Sequence, residues 1–174
     1  METKKKVQWK IWLLRILLSL LCVGVFAWIF SNSLQTGEAS SEKSEAVVDA
    51  VQNAAGVIVP DSFVATAKGE DRAFLHAVIR GLAHFAEFAL LGALLTWCYF
   101  SYTRSKAFAF LPVALVWFTP IIDEFLQAFS SGRASELTDI FVDTAGGMCG
   151  ILFAALTLVV GFLIHKRKRK KRIG

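Results

Sequence analysis

Four long apolar segments constrain this chain more than any other feature of its sequence. They occupy residues 11–30, 82–100, 107–122 and 140–164 and contain 20, 19, 16 and 25 residues. An α-helix needs roughly 20 apolar residues to cross the ~30 Å hydrocarbon core of a bilayer. The third segment approaches that length only when the polar residues up to position 127 are included. The pattern predicts an all-α polytopic membrane protein, a bundle of four transmembrane helices over about residues 11–30, 82–100, 107–127 and 140–164.

The segments between the predicted spans suggest one domain with a single long loop. The chain has 174 residues, which suits a single membrane domain. Residues 31–81 separate the first two spans, and their acidic and apolar patterning predicts a long helical extracellular loop. Residues 165–174 form a basic tail. The first span is predicted to be retained, because it is longer than a typical signal-peptide core and no small-x-small cleavage site follows it.

Basic residues predict the orientation of the spans. Of the 19 Lys and Arg residues, 14 lie in the N-terminal segment, the loop between the second and third spans, and the tail. The opposite side holds the other five, together with 13 of the 14 acidic residues. Because Lys and Arg concentrate in cytoplasmic loops, both termini are predicted to be cytoplasmic. The net charge of +5 is therefore a topology signal and predicts no nucleic-acid partner. The basic tail would instead attract anionic lipids of the bilayer.

Chemically specific polar side chains gather at the predicted outer ends of the four spans. Residues three or four positions apart share a helix face, as His84 and Glu87 do. An isolated charge in lipid costs ~2.5–3.5 kcal/mol, so such side chains should face one another or water. The sequence thus predicts a shared polar pocket open to the outside. Its candidate residues are Ser31, Ser33, Arg80, His84, Glu87, Asp123, Glu124, Gln127, Arg133, Asp139 and Asp143.

The fourth span adds a packing prediction to this pocket. The face that carries Asp139 and Asp143 continues into Gly146 and Gly150, a small-xxx-small pair that lets another helix approach closely. The two carboxylates should therefore point into the bundle, with Arg80 and Arg133 as their partners. A plainer alternative stays open for each residue taken alone. It could be an interfacial charge, and Asp139 could simply cap its helix.

The sequence contains no standard catalytic motif. It lacks a Gly-rich phosphate loop, G-x-S-x-G and H-E-x-x-H. Candidate catalytic groups are nevertheless present, with Asp123 and Glu124 as acid or base and His84 as proton shuttle. Arg80 and Arg133 suit a phosphate or diphosphate. His84 with the carboxylates could hold a divalent ion, but such groups are common at helix ends without one. We therefore predict no metal ligands, and the sequence specifies no cofactor.

Three sequence motifs resemble the VanZ-like family of bacterial membrane proteins, named after an accessory teicoplanin-resistance protein. They are "FSNS" followed by Gln35, "IRGLAHFAEFALLG", and "DEFLQAFSSGRASELTDIFVDTAGGMCG". In the second motif Gly81 and Phe88 stand where the family usually has lysine and tyrosine. The residues that match the second and third motifs are Arg80, His84, Phe85, Glu87, Asp123, Glu124, Gln127, Phe129, Gly132, Arg133, Asp139, Asp143, Gly146 and Gly150.

The resemblance implies a multi-pass protein of the bacterial cell membrane, associated with glycopeptide (teicoplanin) resistance and the cell envelope. It implies no generally accepted reaction, so three hypotheses follow. The first is a non-enzymatic protein whose pocket binds the head group of a lipid-linked cell-wall precursor or glycolipid and so affects a lipoglycopeptide. Its ligand-binding residues would be Arg80, Glu87, Gln127, Arg133, Asp139, Asp143, Ser31 and Ser33.

The second hypothesis is an integral-membrane enzyme that acts on a lipid-linked envelope precursor. Asp123 or Glu124 would be the acid or base, His84 the proton shuttle and Arg133 the phosphate ligand. The third, a proton-coupled transporter, is disfavoured because the ionisable residues lie at one end of the spans. The sequence leaves open whether any reaction is catalysed and whether the chain forms a homo-oligomer.

Overall fold

Most of the part of the chain that the structure describes is helical. This computed structural model describes residues 2–103, 105, 107–132 and 137–170. No strand occurs among these residues, so the predicted all-α class is confirmed. The helices are α1 (Glu2–Ser33), α2 (Gly37–Ile58), α3 (Phe63–Thr66), α4 (Glu70–Tyr102), α5 (Leu111–Gln127) and α6 (Leu137–Lys170).

Three of these helices are long and apolar enough to cross a membrane. They are α1 from Gln8 onwards, α4, and α6 up to Arg169. Large apolar side chains are exposed along them, including Leu20 (64%) and Leu152 (65%). Such exposure is costly in water and expected against lipid, because the bilayer interior is itself apolar. Three of the four predicted spans therefore correspond to membrane-compatible helices.

The predicted third span, residues 107–127, is not confirmed in its full length. Helix α5 begins at Leu111, whereas residues 107–110 form a turn. Its 17 residues extend about 26 Å at 1.5 Å per residue. The late start has a physical cause in Pro112, which lies in the first turn of α5. Proline is tolerated in a first turn, but it has no N–H to donate to the carbonyl four residues earlier, that of Phe108, and its ring would collide with that carbonyl. A regular helix that began at residue 107 would therefore be broken at this point.

Contacts along the long helices give their relative directions. Helices α4 and α6 run parallel, because Arg80 pairs with Asp139 near their starts and Trp97 Nε1 donates to Thr157 Oγ1 (3.0 Å) further along both. Helix α1 runs against α4. Near its start, Arg15 Nε donates to the Ser101 carbonyl (2.9 Å), where a cation also suits the C-terminal end of α4.

Helix α5 runs against both α4 and α6. Val116 faces Gly147 on α6, whereas Asp123, two turns later, lies near Asp143, one turn earlier on α6. The chain therefore returns along the α4–α6 pair through α5. As a result, the end of α1, the start of α4, the end of α5 and the start of α6 meet at one end of the bundle.

The parallel pair α4–α6 is packed through glycine. A Cβ atom on Gly146 would collide with the Phe85 carbonyl, and one on Gly150 with the Ala89 carbonyl. Backbones can approach this closely only where no side chain intervenes. The predicted packing role of Gly146 and Gly150 is confirmed.

Most of the predicted loop 31–81 is helical and packs beside the start of α4. Thr36 caps α2 by accepting from the Ala39 amide (3.3 Å). Val48 of α2 is buried against Leu75 of α4 in a small apolar cluster. The side-chain amide of Gln52 donates to two carbonyls around α3, those of Val64 (3.1 Å) and Ala67 (3.0 Å). This helical cap lies over the end of the bundle where the polar residues gather.

Candidate functional site

A cavity of about 500 Å³ lies at the end of the bundle where α1, α4 and α5 meet the cap. Helix α1 contributes its last two turns, α2 its first three, α4 one face and α5 its last two turns. The main polar lining residues are Ser31, Asn32, Ser33, Gln35, Ser40, Lys43, Ser44, Arg80, His84, Glu87, Asp123 and Gln127. The sequence-predicted residues from three separate helices therefore line one cavity.

The end of α1 contributes a serine that is built into the site. Ser33 is 1% exposed, and its hydroxyl lies within hydrogen-bonding distance of both the Ile29 carbonyl (2.8 Å) and Asp123 Oδ1. The Ser130 hydroxyl, just after α5, donates to the Ser33 carbonyl (2.8 Å). Ser31 also lines the cavity, but it is exposed. The two serines that the sequence placed together thus differ in burial and contacts.

The end of α5 presents a buried carboxylate whose orientation is fixed by hydrogen bonds. Asp123 is 1% exposed. Its Oδ1 accepts from Ser33, and its Oδ2 accepts from the Gln127 side-chain amide (2.7 Å). Because Asp123 and Gln127 are four residues apart, they stand on the same helix face.

Two pairs of ionisable side chains join α4 to α6. Arg80 is paired with Asp139 at the edge, where their side chains are 35% and 18% exposed. One turn deeper, His84 Nδ1 lies 3.4 Å from Asp143 Oδ1. Asp143 is completely buried. The prediction that the two aspartates of α6 point into the bundle, with Arg80 as a partner, is confirmed.

Glu87 is held by residues that the sequence reasoning did not single out. Its Oε1 accepts from Trp28 Nε1 (3.0 Å) and from Asn32 Nδ2 (3.3 Å), both on α1. A usable signal was present, because Trp28 and Asn32 are four residues apart and so share a face directed at α4. Only the fold, however, places Glu87 opposite that face.

The cavity also contains a cation that the sequence analysis missed. Lys43, on the first turns of α2, lines the cavity together with Arg80. Its position in the polar face of an amphipathic helix gave no sign of this role. The second predicted cation, Arg133, lies outside the described residues.

Three further predicted residues do not line the cavity. They are Glu124, which is 3% exposed, and the two aspartates of α6, Asp139 and Asp143. Glu124 follows Asp123 directly, so the two side chains leave the helix about 100° apart and cannot both face the cavity. The roles of the candidate residues stay predictions.

Three of the site residues, His84, Asp123 and Asp143, are of the types that bind metal ions. The sequence had led us to predict no metal ligands. His84, Asp123 and Asp143 each offer one ligand atom, and these atoms lie within 4.8 Å of one another. The histidine comes from α4 and the carboxylates from α5 and α6. No two of them are close in sequence, which explains why no metal motif could be recognised.

Comparison with known proteins agrees with the resemblance seen in the motifs. No curated protein and no solved structure matches the chain. A family model described as VanZ/LLP1 matches residues 16–160. That range covers most of the chain and includes every residue of the site, from the end of α1 to the start of α6. The protein therefore belongs to the VanZ/LLP1 family of membrane proteins.

Proposed function

We propose that the cavity binds the phosphorylated head group of a lipid-linked or glycolipid component of the bacterial envelope. The observation that carries this proposal is a cavity of about 500 Å³ lined by side chains from four helices. Its polar wall holds hydrogen-bond donors and acceptors, and Arg80 and Lys43 both face it. A cavity of this size accommodates a sugar or a diphosphate group. Arginine and lysine are the side chains that bind phosphate oxygens.

The proposed orientation places the cavity at the outer surface. In this arrangement α1, α4, α5 and α6 all cross the bilayer, and both termini lie in the cytoplasm as the distribution of Lys and Arg favours. Two facts support a crossing by α5 despite its 17 residues. Helices α4 and α6 run parallel, so the chain must return between them, and α5 runs against both.

A binding measurement tests the head-group proposal. The purified full chain in lipid nanodiscs is titrated with a polyprenyl diphosphate and, in a second arm, with a neutral diglycosyl diacylglycerol. Removing both cations in Arg80→Gln/Lys43→Gln should weaken the diphosphate at least about 10-fold, since a charged hydrogen bond contributes about 1.5–3 kcal/mol. The matched control is Lys10→Gln, an exposed cation near the other end of α1.

The two arms separate the sources of the head group. Binding of the diphosphate alone supports a lipid-linked precursor, whereas binding of the neutral glycolipid alone, unaffected by the double substitution, contradicts a role for the cations. Absence of wild-type binding in both arms would overturn the proposal.

A role in glycopeptide resistance is proposed as a consequence of such binding. Occupying or presenting an envelope lipid would change how a lipoglycopeptide inserts beside its target. Expression of the wild type in a susceptible bacterium should then lower teicoplanin susceptibility, and the Arg80→Gln/Lys43→Gln variant should lose the effect at equal membrane expression. An unchanged effect of the variant would separate resistance from the cavity.

A second candidate function is hydrolysis or transfer at a lipid-linked precursor. The observation that favours it is the grouping of His84 with Asp123 and Asp143 within 4.8 Å. Clustered ionisable groups in a cavity often mark acid–base catalysis. Incubating the purified protein with a polyprenyl diphosphate and measuring phosphate release tests this candidate. His84→Asn should abolish turnover, while His76→Asn, a histidine outside the cavity lining, should not.

A further inference from the structure

We infer that His84, Asp123 and Asp143 form a binding site for one divalent cation such as Mn²⁺, Fe²⁺ or Zn²⁺. His84 and Asp123 line the cavity, and Asp143 lies next to them. The three candidate ligand atoms lie within 4.8 Å of one another. A common metal centre at bond lengths of about 2.0–2.2 Å would place its ligand atoms roughly 3–4 Å apart. A small change in side-chain conformation would therefore bring the three ligand atoms to the spacing that a common metal centre requires.

The strongest observation is the state of the Asp143 carboxylate. Asp143 is 0% exposed, and neither of its oxygens has a hydrogen-bond partner in the described part of the chain. Leaving a buried charged group without partners is costly, so such groups are paired, hydrogen-bonded or bound to metal. His84 Nδ1 lies 3.4 Å from Asp143 Oδ1; it is also buried and makes no hydrogen bond in the described part of the chain.

A proton shared between His84 and Asp143 accounts for this arrangement less well than a cation does. The Nδ1–Oδ1 separation is 3.4 Å, which exceeds the usual 2.7–3.2 Å of an N–H···O hydrogen bond. Such a proton would also leave Asp143 Oδ2 without a donor among the described residues. A cation bound between Nδ1 and the carboxylate would serve both groups, because a neutral imidazole nitrogen and a carboxylate are both metal ligands.

The third group, Asp123, is oriented as a metal-binding carboxylate would be. Its two oxygens accept hydrogen bonds from Ser33 and Gln127. Hydrogen bonds of this kind fix the direction of a ligating carboxylate and contribute to metal affinity. The two donors come from the end of α1 and from α5 itself, so these bonds join the ends of two helices at Asp123.

The ligand set selects the class of cation. One imidazole and two carboxylates suit Mn²⁺, Fe²⁺ or Zn²⁺, whereas Mg²⁺ and Ca²⁺ prefer oxygen ligands alone. Three protein ligands leave coordination positions open, and two of the three residues, His84 and Asp123, line the cavity. The site does not require the proposed head-group function. If that function holds, however, the open positions would meet the phosphate oxygens of the bound head group.

Metal binding to the purified full chain tests the site without any lipid ligand. The protein is stripped with chelator, returned to buffer, and titrated with Mn²⁺ or Zn²⁺ alone, with Mg²⁺ and Ca²⁺ as further arms. Wild type should bind one Mn²⁺ or Zn²⁺ per chain. Asp143→Asn should weaken binding by more than about 100-fold, because even residues that only orient a ligand contribute about 10–100-fold.

Matched controls separate the site from general effects of charge. Asp61→Asn removes an exposed aspartate of the cap and should bind as the wild type does. Ser33→Ala keeps all three ligands and should weaken binding by about 10–100-fold. If Asp143→Asn does not fold, Ser33→Ala and pulsed EPR of bound Mn²⁺ still decide the question. A nitrogen coupling should be present in the wild type and in His76→Asn, and absent in His84→Asn.

The outcomes distinguish this inference from the head-group proposal. Metal binding without lipid binding would support the cation site and overturn the head-group proposal. If the wild type binds lipid but takes up no Mn²⁺ or Zn²⁺, the head-group proposal is supported and the cation site is overturned. The cation site is also overturned if Ser33→Ala and His84→Asn bind metal as tightly as Asp61→Asn, or if only Mg²⁺ and Ca²⁺ bind.

Discussion

The interface between α4 and α6 differs in kind between its start and its middle. Near the start, ionisable side chains face one another, as Arg80 faces Asp139 and His84 faces Asp143. One to two turns further, glycine faces backbone, as Gly150 faces the Ala89 carbonyl. Both stretches belong to the same two parallel helices. In the first stretch ionisable side chains make the contacts between the helices, and in the second the helices are in contact through close packing of glycine against backbone.

The difference shows how the glycine stretch supports the polar one. Parallel helices that pack through side chains lie 8–10 Å apart, whereas small residues allow a closer approach. Because Gly146 follows Asp143 by three residues, the close approach begins directly beneath the buried carboxylate. The glycine stretch therefore sets the distance across which His84 and Asp143 meet, and a change there should disturb the site without touching an ionisable group.

The largest expected effect comes from filling the glycine stretch. In Gly150→Ala the new Cβ would meet the Ala89 carbonyl and the Ala93 amide nitrogen, which are backbone atoms that cannot rotate away. We expect a loss of about 3 kcal/mol in unfolding free energy, at the upper end of the range for overpacking. Since 1 kcal/mol corresponds to about 2–4 °C in a chain of this size, Tm should fall by about 10 °C in detergent.

A glycine further along the same helix supplies the control for this substitution. Gly161 has no atom within 4 Å of a built Cβ. Gly161→Ala should leave Tm unchanged or raise it slightly, because alanine favours the helix by up to about 1 kcal/mol. Equal losses at the two positions would show that close packing does not distinguish the two stretches.

The second expected effect compares the two serines at the end of α1. Ser33→Ala removes the donor to the buried Asp123 carboxylate. We expect a loss of about 1.5–3 kcal/mol, the contribution of a hydrogen bond to a charged group. Ser31 is exposed, so Ser31→Ala should stay within about 0.5 kcal/mol of the wild type. Thermal unfolding of both variants in the same detergent provides the measurement, and a destabilised Ser31→Ala would contradict the difference in burial.

The sequence predicted which residues would gather, because membrane energetics leaves few other places for them. Apolar length predicted four spans, three of which correspond to membrane-compatible helices. The cost of charge in lipid predicted that residues such as His84 and Asp143 would face one another. The i, i+4 spacing of glycines after Asp143 predicted the helix contact. Each of these inferences depends on local pattern combined with one property of the bilayer.

What the sequence did not predict depends on the three-dimensional path of the chain. The hydrogen bonds from Trp28 to Glu87 and from Ser33 to Asp123 join residues 59 and 90 positions apart. Lys43 reaches the cavity only because α2 folds back over the bundle. The start of α5 was predicted too early because residues 107–110 are apolar and were counted as part of the span. The helix itself begins at Leu111, with Pro112 in its first turn.

The smallest expected effect lies at the outermost charged pair of the polar stretch. Arg80 and Asp139 are 35% and 18% exposed, and partly exposed ion pairs couple by about 0.2–1 kcal/mol. A double-mutant cycle with Arg80→Gln, Asp139→Asn and both together should give a coupling energy in that range in unfolding free energy. The coupling should fall as salt rises, because ions screen exposed charges over about 10 Å at 0.1 M.

The size and the salt dependence of that coupling energy show whether water reaches the polar stretch between α4 and α6. If the coupling exceeds about 3 kcal/mol and does not change with salt, the pair is desolvated as fully as a buried ion pair. The polar stretch would then be sealed from water up to its edge, and no head group could reach His84 past Arg80. A small, salt-sensitive coupling means instead that Arg80 can exchange Asp139 for a phosphate at little cost. Water access at Arg80 is thus the property on which entry to the cavity depends.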